Sequence, residues 1–405
     1  EIIRGRIAPL QPVLEAYPEL WEIFQHCFLN TIETTVQQEP GDTFVITGDI
    51  PAMWLRDSSA QVYHYLPFAK EEPVVEEAIC KLIMRQYSYV NLDAYANAFN
   101  REANAKGHGR DSSSWTEEQK VWVWERKYEI DSLCYPIRLA HAFWKETGSV
   151  EWCNEDFRKA AERIVEVWEI EQYHLEKSDY FFERANCKPK DTLTHNGKGE
   201  PVVYTGMTWS GFRPSDDACK YGYLIPANFF AVRSLEQLAE MVHELCPNEA
   251  LEARIAKLHD EIKAGIEKYA VVHHEEYGDV YAYEVDGMGN YHFMDDANVP
   301  SLLSLPYLEC LDVNDPIYQN TRHMLLSSVN PFYFEGKAAK GIGSPHTPEN
   351  YVWPISLCIQ GLTSTDKDEI RSLLETLTSI DADTNLMHEG VNVDDPTQFT
   401  RPWFA

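Results

Sequence analysis

Residues 131–147, DSLCYPIRLAHAFWKET, and residues 154–173, NEDFRKAAERIVEVWEIEQY, decide the fold. Both stretches have the helical spacing of apolar residues. Leu133, Ile137, Ala140, Phe143 and Trp144 mark the first, and Phe157, Ala161, Ile164 and Trp168 the second. They differ in charge. The first is apolar or aromatic and short of charge, as a helix covered on all sides is. The second keeps a charged face, as a helix with one side in water does. The same alternation runs along the chain. Helices with a charged face are expected over 19–38, 71–89, 154–173, 249–272, 314–328 and 366–380. Helices short of charge are expected over 56–66, 131–147, 220–245, 299–308 and 352–362. Long loops precede the second class, and short links lead from it back to the first.

Covered inner helices, half-wet outer helices and long loops gathered at one rim describe an all-α helical toroid. The pattern gives six outer helices and five inner ones. A sixth inner helix would begin near Arg401 to Trp403, where the sequence stops, so the last inner helix is expected to be truncated. Residues 121–124 read as a short strand. Residues 278–294 read as a hairpin, with alternation over Val280 to Val285 and a turn at Asp286-Gly287. The whole chain, 1–405, is expected to form a single catalytic domain.

Composition narrows the partners. The chain has 405 residues, 44% of them hydrophobic, with 11 Trp and 22 Tyr, an aromatic excess that suits a sugar ligand. A formal charge of −30 repels phosphate backbones and anionic lipid, so neither nucleic acid nor membrane is expected as a partner. No apolar run is long enough to span a bilayer. The 9 cysteines are scattered, without a CxxC pair, and read as small buried hydrophobes rather than a disulfide framework. No Asn-x-Ser/Thr site occurs, which argues against a eukaryotic secreted origin; bacterial cytoplasm and periplasm both stay open, as does a monomer or weak oligomer.

Four stretches could carry chemistry. The loop at 204–217, YTGMTWSGFRPSDD, is too aromatic to stand in plain water, and casts Trp209 and Phe212 as cleft walls with Asp216 or Asp217 as a polar tip. Alternatively the acids simply begin the following helix. Adjacent carboxylates repel, so one could stay protonated near neutral pH and serve glycoside cleavage, with Arg213 satisfying the other. Residues 53–57, MWLRD, offer Arg56 and Asp57 as a donor and acceptor pair for neighbouring sugar hydroxyls, beside Trp54. Residues 341–353, GIGSPHTPENYVW, offer His346, Glu349 and Tyr351 as sugar contacts. Glu389, in LMHEG, precedes the missing inner helix and is a candidate base, or else a solvated surface acid. Asp381-x-Asp383-x-Asn385 lacks the Gly and final Glu of a calcium loop. His273-His274 lacks zinc spacing and reads as a helix end. His195 and the Lys198/Glu200 run read as solvated loop. No metal and no cofactor is expected.

Taken together, GDIPAMWLRDSSAQ at 48–61, YTGMTWSGFRPSDDAC at 204–219, SPHTPENYVWP at 344–354, and MHEG followed by DDPTQFTRPWFA within 387–405 resemble glycoside hydrolase family 125, the metal-independent exo-α-1,6-mannosidases. The resemblance implies an (α/α)6 barrel and an inverting single displacement without metal. It matches the general acid to Asp216, with Asp217 as the neighbouring alternative, and the general base to Glu389. It supports Arg56, Asp57 and His346 as binders of the terminal sugar, and implies release of mannose from N-glycan fragments. The resemblance departs at Gly390-Val391, where the family pattern has a Ser and an aromatic. Competing readings are a glucoamylase-like inverting α-glucosidase, a non-catalytic mannose-binding toroid and a structural helical array.

Overall fold

The computed structural model describes residues 2–107 and 109–401. Its contacts divide the chain into two compact units. One gathers residues 1–36, 273–281 and 293–405; the other gathers 37–272 and 282–292.

The second unit shows the alternation most plainly. Helices Leu55–Tyr63, Ile130–Thr147 and Ile225–Leu245 pack one against the next. Pro73–Leu92, Glu155–Glu171 and Glu249–Tyr269 form a second row packed on the first. Ile130–Thr147 is buried without interruption from Ile130 to Ala140. Glu155–Glu171 buries Phe157, Ala161, Ile164 and Trp168 and turns Glu155, Arg158, Lys159, Glu162, Arg163 and Glu166 to water, while its last residue, Glu171, is buried. Burying each such large apolar side chain stabilises by roughly 1.5–3 kcal/mol. Gln86, the polar position on an otherwise apolar face, is buried and donates from Nε2 to Ser58 Oγ (2.9 Å) and Ser59 Oγ (2.8 Å), tying the two rows together.

Two of the outer helices open on side-chain caps: Asn154 Oδ1 accepts from Asp156 N (2.9 Å) and Phe157 N (3.1 Å), and Asn248 Oδ1 from Leu251 N (3.2 Å). The third, Pro73–Leu92, opens on its proline after Glu72, without a capping side chain. The inner helices follow Trp54, Glu129 and Leu224 with no capping side chain. Two of them rise straight from a strand of a small sheet. Met53–Trp54 pairs with Ala98–Phe99, which pairs in turn with Val123–Glu125. Tyr223–Leu224 pairs with Glu284–Val285, which pairs with Tyr291–His292. Acidic side chains therefore collect where partly positive helix N-termini lie uncapped.

In the first unit, Pro18–Asn30 packs on Lys367–Ser379, which packs on Pro354–Leu362. Pro316–Leu325 is capped by Asp315, whose Oδ1 accepts from Tyr318 N (2.8 Å). Tyr351–Val352 pairs with Gly390–Asn392, and that strand with Phe399–Thr400.

Several expectations need correcting. Residues 299–308 form successive turns rather than a helix. The backbone N–H groups of Leu302 and Leu303 both donate to the buried Asp295 carboxylate (2.9 Å each), and Pro306 has no N–H to continue a ladder. Residues 121–122 end the helix Glu117–Trp122, and the strand begins only at Val123. The helix expected from 220 starts at Ile225. The hairpin about Asp286-Gly287 joins Glu284–Val285 to Tyr291–His292, leaving Gly278–Tyr281 outside it. Residues 271–274 are a strand and no helix end, with His273 Nδ1 2.9 Å from Asp279 Oδ1. The start of a sixth inner helix falls, beyond Arg401, outside the described residues.

Candidate active site

Asp216 does not begin a helix. It occupies a tight turn closed by the bridge between Phe212 and Ala218, in which Arg213 N donates to Asp217 O (2.8 Å) and Asp216 N to Arg213 O (2.9 Å). Its φ of +66° is left-handed, a conformation Asp tolerates better than most residues. Two groups steady the turn from outside. Lys127 Nζ donates to Asp216 O (2.7 Å). Arg213 Nε donates to the fully buried Glu284 Oε1 (2.6 Å). Glu284 also accepts from Lys220 N (2.9 Å) and Tyr221 N (3.0 Å), and lies 3.1 Å from His292 Nε2. Burial alone would raise this carboxyl; Arg213 and His292 hold it at about 2.

Arg213 thus serves Glu284 and not the acidic pair. Asp217 is buried, with Oδ2 3.2 Å from Lys190 Nζ. Asp216 meets other carboxylates instead. Asn97 Nδ2 lies 3.3 Å from Asp216 Oδ1, 3.4 Å from Glu129 Oε1 and 3.0 Å from Glu125 Oε1, while Asn97 Oδ1 accepts from Lys127 N (3.1 Å). Arg56 Nη1 donates to Glu129 Oε2 (2.6 Å) and Asp131 Oδ2 (3.2 Å), and Arg56 Nη2 lies 3.6 Å from Asp57 Oδ2. Burial, opposed by Arg56 and reinforced by Asp131 and Asp216, pushes Glu129 well above the usual carboxylate range. Burial likewise raises Asp131 to about 6 against the pull of Arg56. Burial would lower Lys127, but Glu125 and Asp216 keep it above its ordinary value.

Sequence reasoning missed Glu129 and Asp131. In KYEIDSLC they look like ordinary acids at a helix start, which is also where they are; only the fold brings Arg56 and Asp216 to them. It also missed Asp295 and Asp296, two adjacent and fully buried acids in the first unit.

The aromatic walls are revised. Trp209 and Phe212 are buried, at 1% and 0% exposure. His174 stacks on the Trp209 ring at 3.5 Å and 7°, fixed by Glu171 Oε2 (2.6 Å from Nδ1) and Lys198 O (2.9 Å from Nε2). Tyr128 lies near-parallel at 6.2 Å. Phe212 meets Phe182 edge-on, with Lys127 Nζ 5.2 Å from its ring centre. Both rings support the Asp216 turn from within. Trp54 is buried in a cluster with Ala52 and Ala98, its indole Nε1 without a hydrogen-bond partner among the described residues.

In the first unit Glu389 directly precedes the strand Gly390–Asn392. Its N–H is shared between Thr400 O (3.2 Å) and Arg401 O (3.3 Å), and its buried carboxylate Oε1 lies 3.3 Å from Arg401 Nη1. His388 stacks on Phe399 at 3.7 Å, and burial lowers its pKa. Gly390 has little room for a side chain: an added Cβ would lie 3.2 Å from Thr400 Oγ1 and 3.3 Å from Trp353 Nε1. Tyr351, half-buried, stands opposite Asn392 in the same sheet. His346 lies in the preceding turn, its N–H donating to Ser344 Oγ (3.1 Å).

Comparison with known proteins agrees with the motifs. The model of the metal-independent α-mannosidases (GH125) matches residues 17–405. The Meiotically up-regulated gene 157 protein of Schizosaccharomyces pombe is 41% identical over 407 residues, spanning 96% of this chain and 80% of that one. A Streptococcus pneumoniae metal-independent α-mannosidase, solved in a non-productive complex with α-1,6-mannobiose, is 46% identical, covers 100% of this chain and 95% of that one, and superposes with a TM-score of 0.96. A bacterial glucoamylase solved with acarbose, 12% identical over 85% of this chain and 45% of that one, has a TM-score of 0.51 and shares the fold alone. The architecture is all-α, as expected of an (α/α)6 enzyme, and the chain belongs to the metal-independent α-mannosidases of glycoside hydrolase family 125.

Proposed function

We infer that this chain is an inverting, exo-acting α-1,6-mannosidase that removes terminal mannose from the non-reducing end of α-mannosides and N-glycan fragments. The observation that carries the reading is the full-length likeness to the pneumococcal enzyme held with α-1,6-mannobiose. In this reading Asp216, protonated, gives its proton to the glycosidic oxygen. Glu389, ionised beside Arg401, takes a proton from water as that water attacks the anomeric carbon. Such an inversion calls for carboxyl groups about 6.5–9.5 Å apart, so that water fits between base and sugar. Arg56 and Asp57 would hold hydroxyls of the terminal sugar, with Trp54 Nε1, His346 and Tyr351 as further contacts. The chain would act as a single catalytic domain, without a metal or cofactor, as a monomer or weak oligomer, and without nucleic-acid or membrane partners.

The test compares α-1,6-mannobiose with α-1,6- and α-1,4-linked glucose disaccharides, using wild type, D216A and E389A. Turnover of mannobiose alone, reduced about 10²- to 10⁴-fold in each variant, is expected. Preference for a glucoside, or full activity in either variant, contradicts the reading.

A further inference from the structure

The Asn97 side chain has two N–H groups and three carboxyl oxygens within 3.4 Å. The contact to Glu125 is the shortest, so Glu129 and Asp216 converge on what remains. Two ionised carboxylates so placed would repel; one proton between them turns repulsion into a hydrogen bond. The charges nearby leave room for that proton. Facing the pair are Asp57 and Asp131 on the negative side, with Arg56 and Lys127 on the positive side. Glu125 is matched by Arg184, whose Nη2 lies 2.8 Å from it, and Arg184 also serves Asp111. Asp191 lies 4.0 Å from Lys127. Arg56 and Lys127 therefore face five carboxyl groups, those of Asp57, Glu129, Asp131, Asp191 and Asp216. Glu129 is the better-fixed member of the pair: it is 1% exposed and accepts from Arg56 and from Ser132 Oγ (2.9 Å).

We propose that Glu129 is a positioning residue for hydrolysis: it shares one proton with Asp216 and so keeps that carboxyl loaded for donation to the glycosidic oxygen. The proposal rests on the reading of Asp216 as the general acid. When Asp216 gives its proton to the leaving oxygen, Glu129 faces an ionised neighbour, and the pair regains a single proton from water as the next cycle begins. The neighbour in sequence, Asp217, takes no part, being occupied with Lys190.

The test is Glu129→Gln, an isosteric change that cannot share a proton and whose amide would donate to ionised Asp216. Asp216 should then lose its proton at lower pH. The alkaline limb of kcat/KM on α-1,6-mannobiose should move down by at least one pH unit. Loss of rate should be at least tenfold larger on mannobiose than on 2,4-dinitrophenyl α-mannoside, whose leaving group needs no proton. Asp131→Asn, which disturbs the same Arg56 anchor and removes one negative charge beside the pair but leaves the shared proton, should move the alkaline limb by less than half as much as E129Q. An unmoved limb in E129Q, equal losses on the two substrates, or the same limb shift in D131N would overturn the proposal. D216N separates it from the reading beneath: full mannobiose activity in D216N refutes Asp216 as the acid, whatever E129Q does. Should E129Q not fold, infrared difference spectra of wild type and D216N at pH 7 decide. A protonated-carboxyl band in the wild type that vanishes in D216N supports the shared proton, and identical spectra refute it.

Discussion

Glu284→Gln is the perturbation that best measures what holds the Asp216 turn. The wild-type carboxylate is fully buried and collects Arg213, two backbone N–H groups and His292. Its pKa falls from 4.5 to about 2. By linkage, that drop corresponds to stabilisation on the order of 3 kcal/mol at neutral pH. An independent route agrees, since removing one partner of a buried ion pair costs about 3–5 kcal/mol. In a unit of this size, 3 kcal/mol lowers Tm by about 6–12 °C. The sign with pH follows from a depressed carboxyl. The stabilisation is fully present above its unfolded pKa, near 4.5, and is lost as pH falls through about 2. The Tm gap between wild type and E284Q, measured by calorimetry at pH 7, 4 and 3, should therefore be widest at pH 7 and narrow towards pH 3. Turnover should fall as well, because Arg213, Lys220 and Tyr221 flank Asp216. A gap below about 2 °C at pH 7, or one that grows as pH drops, would refute the reasoning.

Arg56→Met leaves Glu129 and Asp131 buried without their guanidinium and should cost about 3–5 kcal/mol near neutrality. Carboxyls with raised pKa stabilise below their unfolded value and lose that contribution as pH rises through the folded one, about 6 for Asp131. The R56M deficit should therefore be larger at pH 8 than at pH 5 in thermal melts. Gly222→Ala would bring a Cβ to 2.2 Å from Cδ1 and Nε1 of Trp209, so the ring must move. A destabilisation of about 1–3 kcal/mol is expected in denaturant titration, together with slower mannobiose hydrolysis.

The alternation of wet and dry helices was legible because burial writes itself into charge along a helix. Glu155–Glu171 and Ile130–Thr147 fall within a residue or two of their expected limits. Residues 299–308 misled because Leu302, Leu303, Leu305 and Leu308 carry helical spacing, whereas a distant-looking acid, Asp295, takes the N–H groups that would have started the helix. At the site, a pair adjacent in sequence drew the eye. In the fold, Asp216 and Asp217 turn to different partners, and the carboxyl beside Asp216 lies 87 positions earlier, at Glu129. Periodicity reports which face of a helix is wet; it carries no information about which acids from separate elements share one amide. In sequence the aromatics of the 204–217 loop look like walls, because their neighbours His174, Tyr128 and Phe182 come from elsewhere in the chain.

The central claim is single displacement at a terminal mannose by an acid at Asp216 and a water activated by Glu389. Proton NMR of the first minutes of α-1,6-mannobiose hydrolysis, faster than mutarotation, tests it most directly. β-Mannose accumulating before its α-anomer is the predicted result; α-mannose appearing first would contradict the account.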